Sequence, residues 1–283
     1  MLTYINEQNQ TVTFSKDKPY KLLDLQGTGA IETDVQTQKA PFQDGLTYVD
    51  TLFEEREINI EFMMIDNDIN NKRATISSIF NPKIKGKLQY NINGKTFEIK
   101  TIVSTPPTFP TGRVNRGLDY QKVLITLIGP LPFWLEDFEH EQKMAALIGG
   151  LTFPISMDPY MTFEEAGDVV AVSNNGDVPT PVEIEFNGPA VNPKIENLTT
   201  GEFIEVSQTL LENEKLLIST EFGNKTVTLV DSNENETNGF HYLNLNSNFW
   251  SLEVGENLIS YSADEGEEDA VVNVKWKERF VGV

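Results

Sequence analysis

The sequence has no cysteine. That excludes disulfides, thiolate nucleophiles and cysteine-ligated zinc. Histidine is scarce: only His140 and His241 occur, far apart in the chain. A Ser-His-Asp triad or a histidine-rich metal site would have to use one of these two. No G-x-S-x-G elbow and no H-E-x-x-H motif is present. No apolar run approaches the roughly 20 residues of a membrane helix, so no membrane partner is expected. Met1 to Gln10 is polar and lacks a basic start with an apolar stretch behind it, so no signal peptide is expected and the chain should fold in a cytoplasm.

What is present is ordinary folding material with an uneven charge. The 283 residues are 39% hydrophobic and 10% aromatic, enough for a real core and for two domains. The net charge is −21. Residues 1–135 hold fifteen Lys/Arg and fifteen Asp/Glu, whereas residues 136–283 hold seven and twenty-eight. Halves that differ this much point to two domains in different surroundings. The acidic half would be repelled by nucleic acid, since binding there needs Lys/Arg against phosphates.

The first half reads as mostly β with one helix. Glu57 to Phe62 alternates polar and apolar, the period of a half-buried strand. A helix follows, capped by Asp66 or Asp68, with Ile69, Ile76, Ile79 and Phe80 on one face. Asn81-Pro82 stops it. Lys87–Ile92 and Lys95–Thr101 are strands joined by Asn93-Gly94, a type I′ hairpin turn. A Pro/Gly-rich loop, Ser104–Gly117, leads to a strand at Tyr120–Ile128. Glu136–Ile148 reads as a short helix ended by Gly149-Gly150, and Leu151–Gly167 shows no clean period. The expected division is therefore 1–135, a connecting segment 136–167, and 168–283. The second half is almost pure β. Its candidate strands are Pro181–Phe186, Glu202–Val206, Lys215–Ser219, Thr226–Val230, Tyr242–Leu245, Phe249–Leu252, Asn257–Tyr261 and Ala270–Trp276. Short strands at regular spacing predict a β-sandwich or jelly-roll-like barrel. No βαβ rhythm supports a Rossmann or TIM fold.

The fragments that could carry chemistry fail on inspection. Asp231 to Asn235 opens like a calcium loop, but the required glycine and glutamate positions hold Glu236 and Tyr242. A polar hairpin loop is the better reading, and Asp264–Asp269 reads as a solvated acidic loop. Gly27-Thr28-Gly29-Ala30 lacks the lysine of a phosphate loop and the third glycine of a dinucleotide site, so it reads as a turn. Paired acids such as Glu164/Glu165 could serve glycoside hydrolysis, but such pairs arise by chance among twenty-eight carboxylates. Asn197, Asn224 and Asn235 head glycosylation sequons that read as loop and strand-end residues. No enzyme activity and no cofactor is expected. Among the aromatics, Phe249-Trp250, Tyr242 and Trp276 are the candidate rings for stacking a glycan, Trp250 and Trp276 foremost, against the alternative that they are core.

Several stretches in order resemble the siphophage distal tail protein family. In the first half these are Gly29, Ala40-Pro41-Phe42-Gln43-Asp44-Gly45, Arg56-Glu57-Ile58-Asn59-Ile60 and Ile79-Phe80-Asn81-Pro82-Lys83. In the second they are Asn174-Asn175-Gly176-Asp177-Val178-Pro179-Thr180-Pro181, Asn187-Gly188-Pro189-Ala190-Val191-Asn192-Pro193-Lys194-Ile195, Thr199-Thr200-Gly201 and Gly223-Asn224-Lys225-Thr226-Val227. Leu252-Glu253-Val254-Gly255-Glu256-Asn257-Leu258-Ile259 and Arg279-Phe280-Val281-Gly282-Val283 complete the set. The resemblance implies an N-terminal β-barrel-like domain with one helix, six copies of which close into a ring, and a C-terminal galectin-like β-sandwich. It implies a place at the virion tail tip, with the tail-tube protein and a fibre or lysin hub protein as neighbours. Receptor-binding proteins would often be carried, and DNA would only pass through the channel. The long loops Gln36–Asp50 and Ser104–Gly117 are the expected contact makers. Arg113 and Arg116 are the candidate anchors to a neighbouring subunit, because arginine pairs carboxylates bidentately. The main alternative is a module gripping host-surface polysaccharide through the C-terminal sandwich; a cell-wall hydrolase is a second.

Overall fold

Alternation of burial along the strands sets the architecture in the computed structural model. It describes residues 1–29, 31–145, 169–266 and 268–283. The chain forms two units, Met1–Asp137 with Arg279–Val283, and Phe138–Glu278. Each is mostly β.

The first unit contains β1 (Leu2–Asn6), β2 (Thr11–Phe14), β3 (Tyr20–Gln26), β4 (Thr33–Gln38), β5 (Thr47–Phe53) and β6 (Arg56–Ile65). Helix α1 (Ile69–Ile79), β7 (Gly86–Ile92), β8 (Lys95–Thr108), β9 (Tyr120–Gly129) and β10 (Trp134–Glu136) follow. The main sheet runs β2-β1-β7-β8-β9-β6-β3. Its two end strands approach each other: Ser15 N donates to Tyr20 O at 3.1 Å, and Leu22 N to Ser15 O at 2.8 Å. Along β6, Arg56, Ile58, Ile60, Phe62 and Met64 point inward. Val123, Ile125 and Leu127 of β9 meet them in one core. Burying each large apolar side chain contributes about 1.5–3 kcal/mol.

Helix α1 forms as its sequence predicts. Asp68 caps it, accepting from Asn71 N at 3.1 Å. Ile69, Ile76 and Ile79 are buried, and Phe80 stacks on Tyr4 with ring centroids 4.3 Å apart. Asn93 and Gly94 both hold positive φ, 51° and 83°, in the β7–β8 turn, as a type I′ hairpin requires. The loop expected at Ser104–Gly117 begins later. Strand β8 continues to Thr108, pairing irregularly with β9 across Pro106 and Pro107, which can donate no ladder hydrogen bond.

The second unit holds β11 (His140–Ala145), β12 (Val169–Asn174), β13 (Thr180–Asn187), β14 (Ala190–Val191), β15 (Lys194–Asn197), β16 (Glu202–Glu205), β17 (Thr209–Leu210) and β18 (Lys215–Ser219). Then come β19 (Thr226–Val230), β20 (Glu236–Asn238), β21 (Ser251–Leu252), β22 (Gly255–Ser262) and β23 (Val271–Trp276). One sheet runs β11-β23-β13-β18-β19-β20 and the other β12-β22-β15-β16. Both feed one core: Ile184, Phe186 and Val274 come from the first sheet, and Val172, Ile195 and Ile259 from the second. This is a two-sheet sandwich.

Three expectations are corrected. Residues 140–145 form a strand, not a helix, paired along its length with β23 from His140↔Trp276 to Ala145↔Val271; 146–148 lie outside the described residues. Edge pairing overrides the helix propensity of Glu, Gln, Lys, Met and Ala. Tyr242–Leu245 is not a strand: Phe240–Tyr242 is a single 3-10 turn. The chain also divides differently from 1–135, 136–167 and 168–283. Phe138–Ala145 belong with the second unit, and Arg279–Val283 with the first. There β24 (Arg279–Phe280) pairs with β10, Trp134 opposite Phe280. Most of the expected connecting segment, including Glu164 and Glu165, lies outside the described residues.

Candidate assembly interface

The sequence Gly27-Thr28-Gly29 is a turn and a structural anchor. Gly27 has φ +89°, and a Cβ there would lie 2.0 Å from the Glu57 carbonyl oxygen. Only glycine fits such an approach. Three groups converge on this turn. Arg56, fully buried, donates from Nε to Pro132 O at 2.6 Å and from a terminal nitrogen to Gly27 O at 2.6 Å. Its other terminal nitrogen donates to Val281 O. Trp134 Nε1 donates to Thr28 O at 3.1 Å, and Val283 N to Thr28 O at 3.2 Å. Burial pushes the Arg56 guanidinium down to about 10, so it stays charged at neutral pH. One buried cation thereby ties together three segments distant in sequence, and residues 279–283 are held to the first unit.

From this frame the hairpin β4–β5 projects. It is a separate two-stranded sheet. Every residue of β4 and nearly all of β5 is exposed. Apolar side chains leave both faces of β5: Leu52 on one, Tyr48 and Phe53 on the other, with Val49 in the bulge where the register shifts between Gln36 and Thr37. The base is fixed by Glu54 N donating to Glu32 O at 2.9 Å and by Phe53 packed edge-on against Phe133, centroids 5.5 Å apart. The tip is the motif Ala40 to Gly45. Gln43 N donates to Ala40 O at 3.2 Å, Ala40 N donates to Gln43 Oε1 at 3.0 Å, and Gln43 Nε2 reaches Thr47 Oγ1 at 2.9 Å. This stitching holds Phe42 at φ +64° with its ring entirely in solvent, at 107% relative exposure. Positive φ in a bulky residue costs about 1–2 kcal/mol, and exposure of a full phenyl ring brings no offsetting burial. A lone two-stranded ribbon is marginal in water, and its exposed apolar groups mark an interaction element. The sequence predicts a loop between Gln36 and Asp50; the structure forms a hairpin there.

The loop after β8 is also organised from within. Gln121, fully buried, donates to Pro110 O at 3.0 Å and Lys122 O at 2.9 Å, and Tyr120 Oη donates to Arg113 O at 2.8 Å. Arg113 and Arg116 are exposed beside Val114 and Leu118, which are themselves almost wholly in solvent. Among the described residues neither arginine takes part in a salt bridge. Cationic forks flanked by apolar groups suit protein recognition.

The second unit offers a different surface. Trp250 and Trp276 lie in its core, and Trp276 stacks on His140, centroids 5.4 Å apart. Covered ring faces leave nothing for a sugar to stack on. Asp231 forms the polar hairpin expected: its carboxylate accepts from Asn233 N at 2.8 Å and from Asn235 N and Nδ2, each at 2.9 Å. The bonds from Asn235 hold its pKa below the usual carboxylate value. The conspicuous motifs of this unit are structural. Asn174, Asn197 and Asn257 are fully buried. Asn257 Oδ1 accepts from Glu253 N at 2.9 Å and Asn197 Nδ2 at 3.2 Å, while its Nδ2 donates to Glu253 O at 2.8 Å. Asn174 Nδ2 donates to Val178 O at 3.0 Å and Leu252 O at 3.1 Å. Side-chain amides here close turns that backbone groups cannot.

Comparison with known proteins defines the class. Residues 8–128 match the family model of the phage tail protein RIFT-related domain, and residues 175–280 match that of the siphovirus-type tail component, C-terminal domain. The chain is thus a structural component of a long phage tail. Within that class it belongs to the siphophage distal tail protein family. The crystal structure of the Dit protein of phage SPP1, described as a paradigm of the hub adsorption apparatus in phages infecting Gram-positive bacteria, is 11% identical. Each chain is covered to 99%, with a TM-score of 0.72. A chain of the phage P2 baseplate in its activated conformation with calcium is also 11% identical, covered to 100% of this chain and 99% of that one, with a TM-score of 0.55. At such identity the likeness is one of fold. No curated protein sequence matches the chain.

Proposed function

We propose that six copies of this chain close into a ring at the virion tail tip. The ring joins the tail-tube protein to the fibre or lysin hub beneath it, carries receptor-binding proteins, and lets DNA pass through its channel. The chain has no catalytic role in this reading. The observation that carries it is the hairpin β4–β5, an apolar two-stranded element that its own unit leaves uncovered. A protruding element on one surface and its acceptor on another make a heterologous contact, which generates rings when the rotation closes. Arg113 and Arg116 are assigned to the same kind of contact. The strong negative charge of residues 136–283 keeps unassembled copies soluble.

The test is the solution mass of the purified protein by light scattering, with negative-stain images of the same peak. A six-fold ring with a central hole is the expected result. Two-fold dimers, which bury the same patch on both partners, would overturn the ring.

A further inference from the structure

The first unit contains an apolar cavity open to solvent, of about 500 Å³. Ile5, Ile102 and Leu131 line it, with Lys85 and Lys100 at its rim. Thr101 sits in its wall, 2% exposed, and its Oγ1 has no hydrogen-bond partner. That hydroxyl is out of reach of solvent, so recognition in the cavity falls to its apolar lining and its lysines. Lys85 and Lys100 are in no salt bridge among the described residues, and Glu7 is the one carboxylate on the lining. The cavity therefore asks for an apolar group accompanied by a carboxylate.

The hairpin tip is such a group. Phe42 stands fully in solvent two residues before Asp44. Between Glu32 and Glu55 there are six carboxylates and one lysine, whereas residues 1–135 as a whole are neutral. The remainder of that half is therefore basic by the same amount. A hairpin of one sign and a body of the other, on one chain, are complementary between copies.

We infer that the β4–β5 tip of one copy docks in this cavity of the next. Phe42 fills the space between Ile5, Ile102 and Leu131, and Asp44 faces Lys85 and Lys100. This rests on the ring reading and deepens it by naming the two halves of the subunit contact. Knob and cavity lie on different elements, so each copy gives one and receives one, and association propagates head to tail until it closes.

The absence of cysteine makes the contact directly testable. Pro41→Cys, which keeps the Phe42 ring, and differently tagged Pro130→Cys, on the cavity lining beside Leu131, are mixed and oxidised. The expected product is a disulfide-linked heterodimer; Pro41→Cys mixed with Phe222→Cys, at an exposed turn of the second unit, should give none. Absence of the heterodimer up to the highest soluble concentration overturns the contact. Six-fold rings without the cross-link overturn the contact and leave the ring standing. Cross-linked heterodimers without six-fold rings in the images overturn the ring and leave the contact. As a second measurement, Phe42→Ala should weaken self-association about tenfold to a hundredfold, and Lys100→Glu should weaken it with a reduced salt dependence. Association unchanged by both substitutions overturns the proposal.

Discussion

Removing the Arg56 side chain tests whether one buried cation holds the first unit together. Three of its bonds run to Pro132 O, Gly27 O and Val281 O. Hydrogen bonds from a charged donor contribute about 1.5–3 kcal/mol each, so three amount to roughly 5–9 kcal/mol. Against this stands desolvation. Burial lowers the pKa from 12.5 to about 10, a cost of about 3 kcal/mol that the substitution relieves. Arg56→Met should therefore destabilise the unit by about 2–6 kcal/mol, much of the total for a domain of this size. With a urea slope of about 2 kcal/mol per molar, the midpoint should fall by about 1–3 M. Trp134 reports the transition, because its indole is bonded to the same turn. The measurement is made in a background where Trp250 and Trp276 of the second unit are replaced by phenylalanine. Arg56→Lys keeps the charge but cannot present a planar fork to three carbonyls, so it should fall between the two. A loss below about 0.5 kcal/mol for Met, within the range of ordinary surface substitutions, would refute the reasoning. So would a lysine variant as stable as the parent.

Two further outcomes follow from buried polar groups. Asn257→Ala should cost the second unit about 1–3 kcal/mol, because the Glu253 backbone groups and Asn197 lose their partner; calorimetry should show the first unit's transition unmoved. Tyr4 has a buried hydroxyl without a hydrogen-bond partner, and burial, aided by Glu7, raises its pKa to about 12. The neutral phenol is favoured in the folded state, so this contribution is complete below pH 10 and is lost as pH rises from 10 to 12. Tyr4→Phe should flatten that alkaline loss and leave neutral-pH stability unchanged or improved. Urea titrations at stepped pH measure both, and an alkaline loss identical in the phenylalanine variant would exclude Tyr4 as its source.

Legibility in the sequence follows the range of the forces involved. Helix α1, its Asp68 cap and the Asn93-Gly94 turn are decided within a few residues, and they stand where the pattern puts them. Strand β6 is legible too, and its phase holds more than the strand itself. Ile58, Ile60 and Phe62 face inward, so Arg56, two residues earlier, faces inward as well. A charge on the buried phase of a strand announces, from the alternation alone, a buried polar network. Residues 140–145 depart from expectation because their composition favours a helix, while their state is set by β23 more than 120 residues away. The placement of Arg279–Val283 in the first unit is equally non-local. It depends on β10 and on Arg56, neither of which leaves a mark near residue 280.

The hairpin β4–β5 is illegible for a different reason, and that reason bears on its role. Period-2 alternation arises when one face of a strand meets a core and the other meets water. Here neither face meets the unit's own core, so apolar residues fall on both faces and no alternation develops. A monomeric protein would gain nothing from such a segment. It would order some twenty residues at about 1–2 kcal/mol each in backbone entropy without burying their apolar groups. The arrangement is favourable only when those groups are buried by something else. The strained tip points the same way, since the positive φ at Phe42 is a cost that burial of its ring in the proposed contact would offset. On the proposed contact, the absent pattern and the strained aromatic are two consequences of one condition, a strand pair whose core is completed by a second copy.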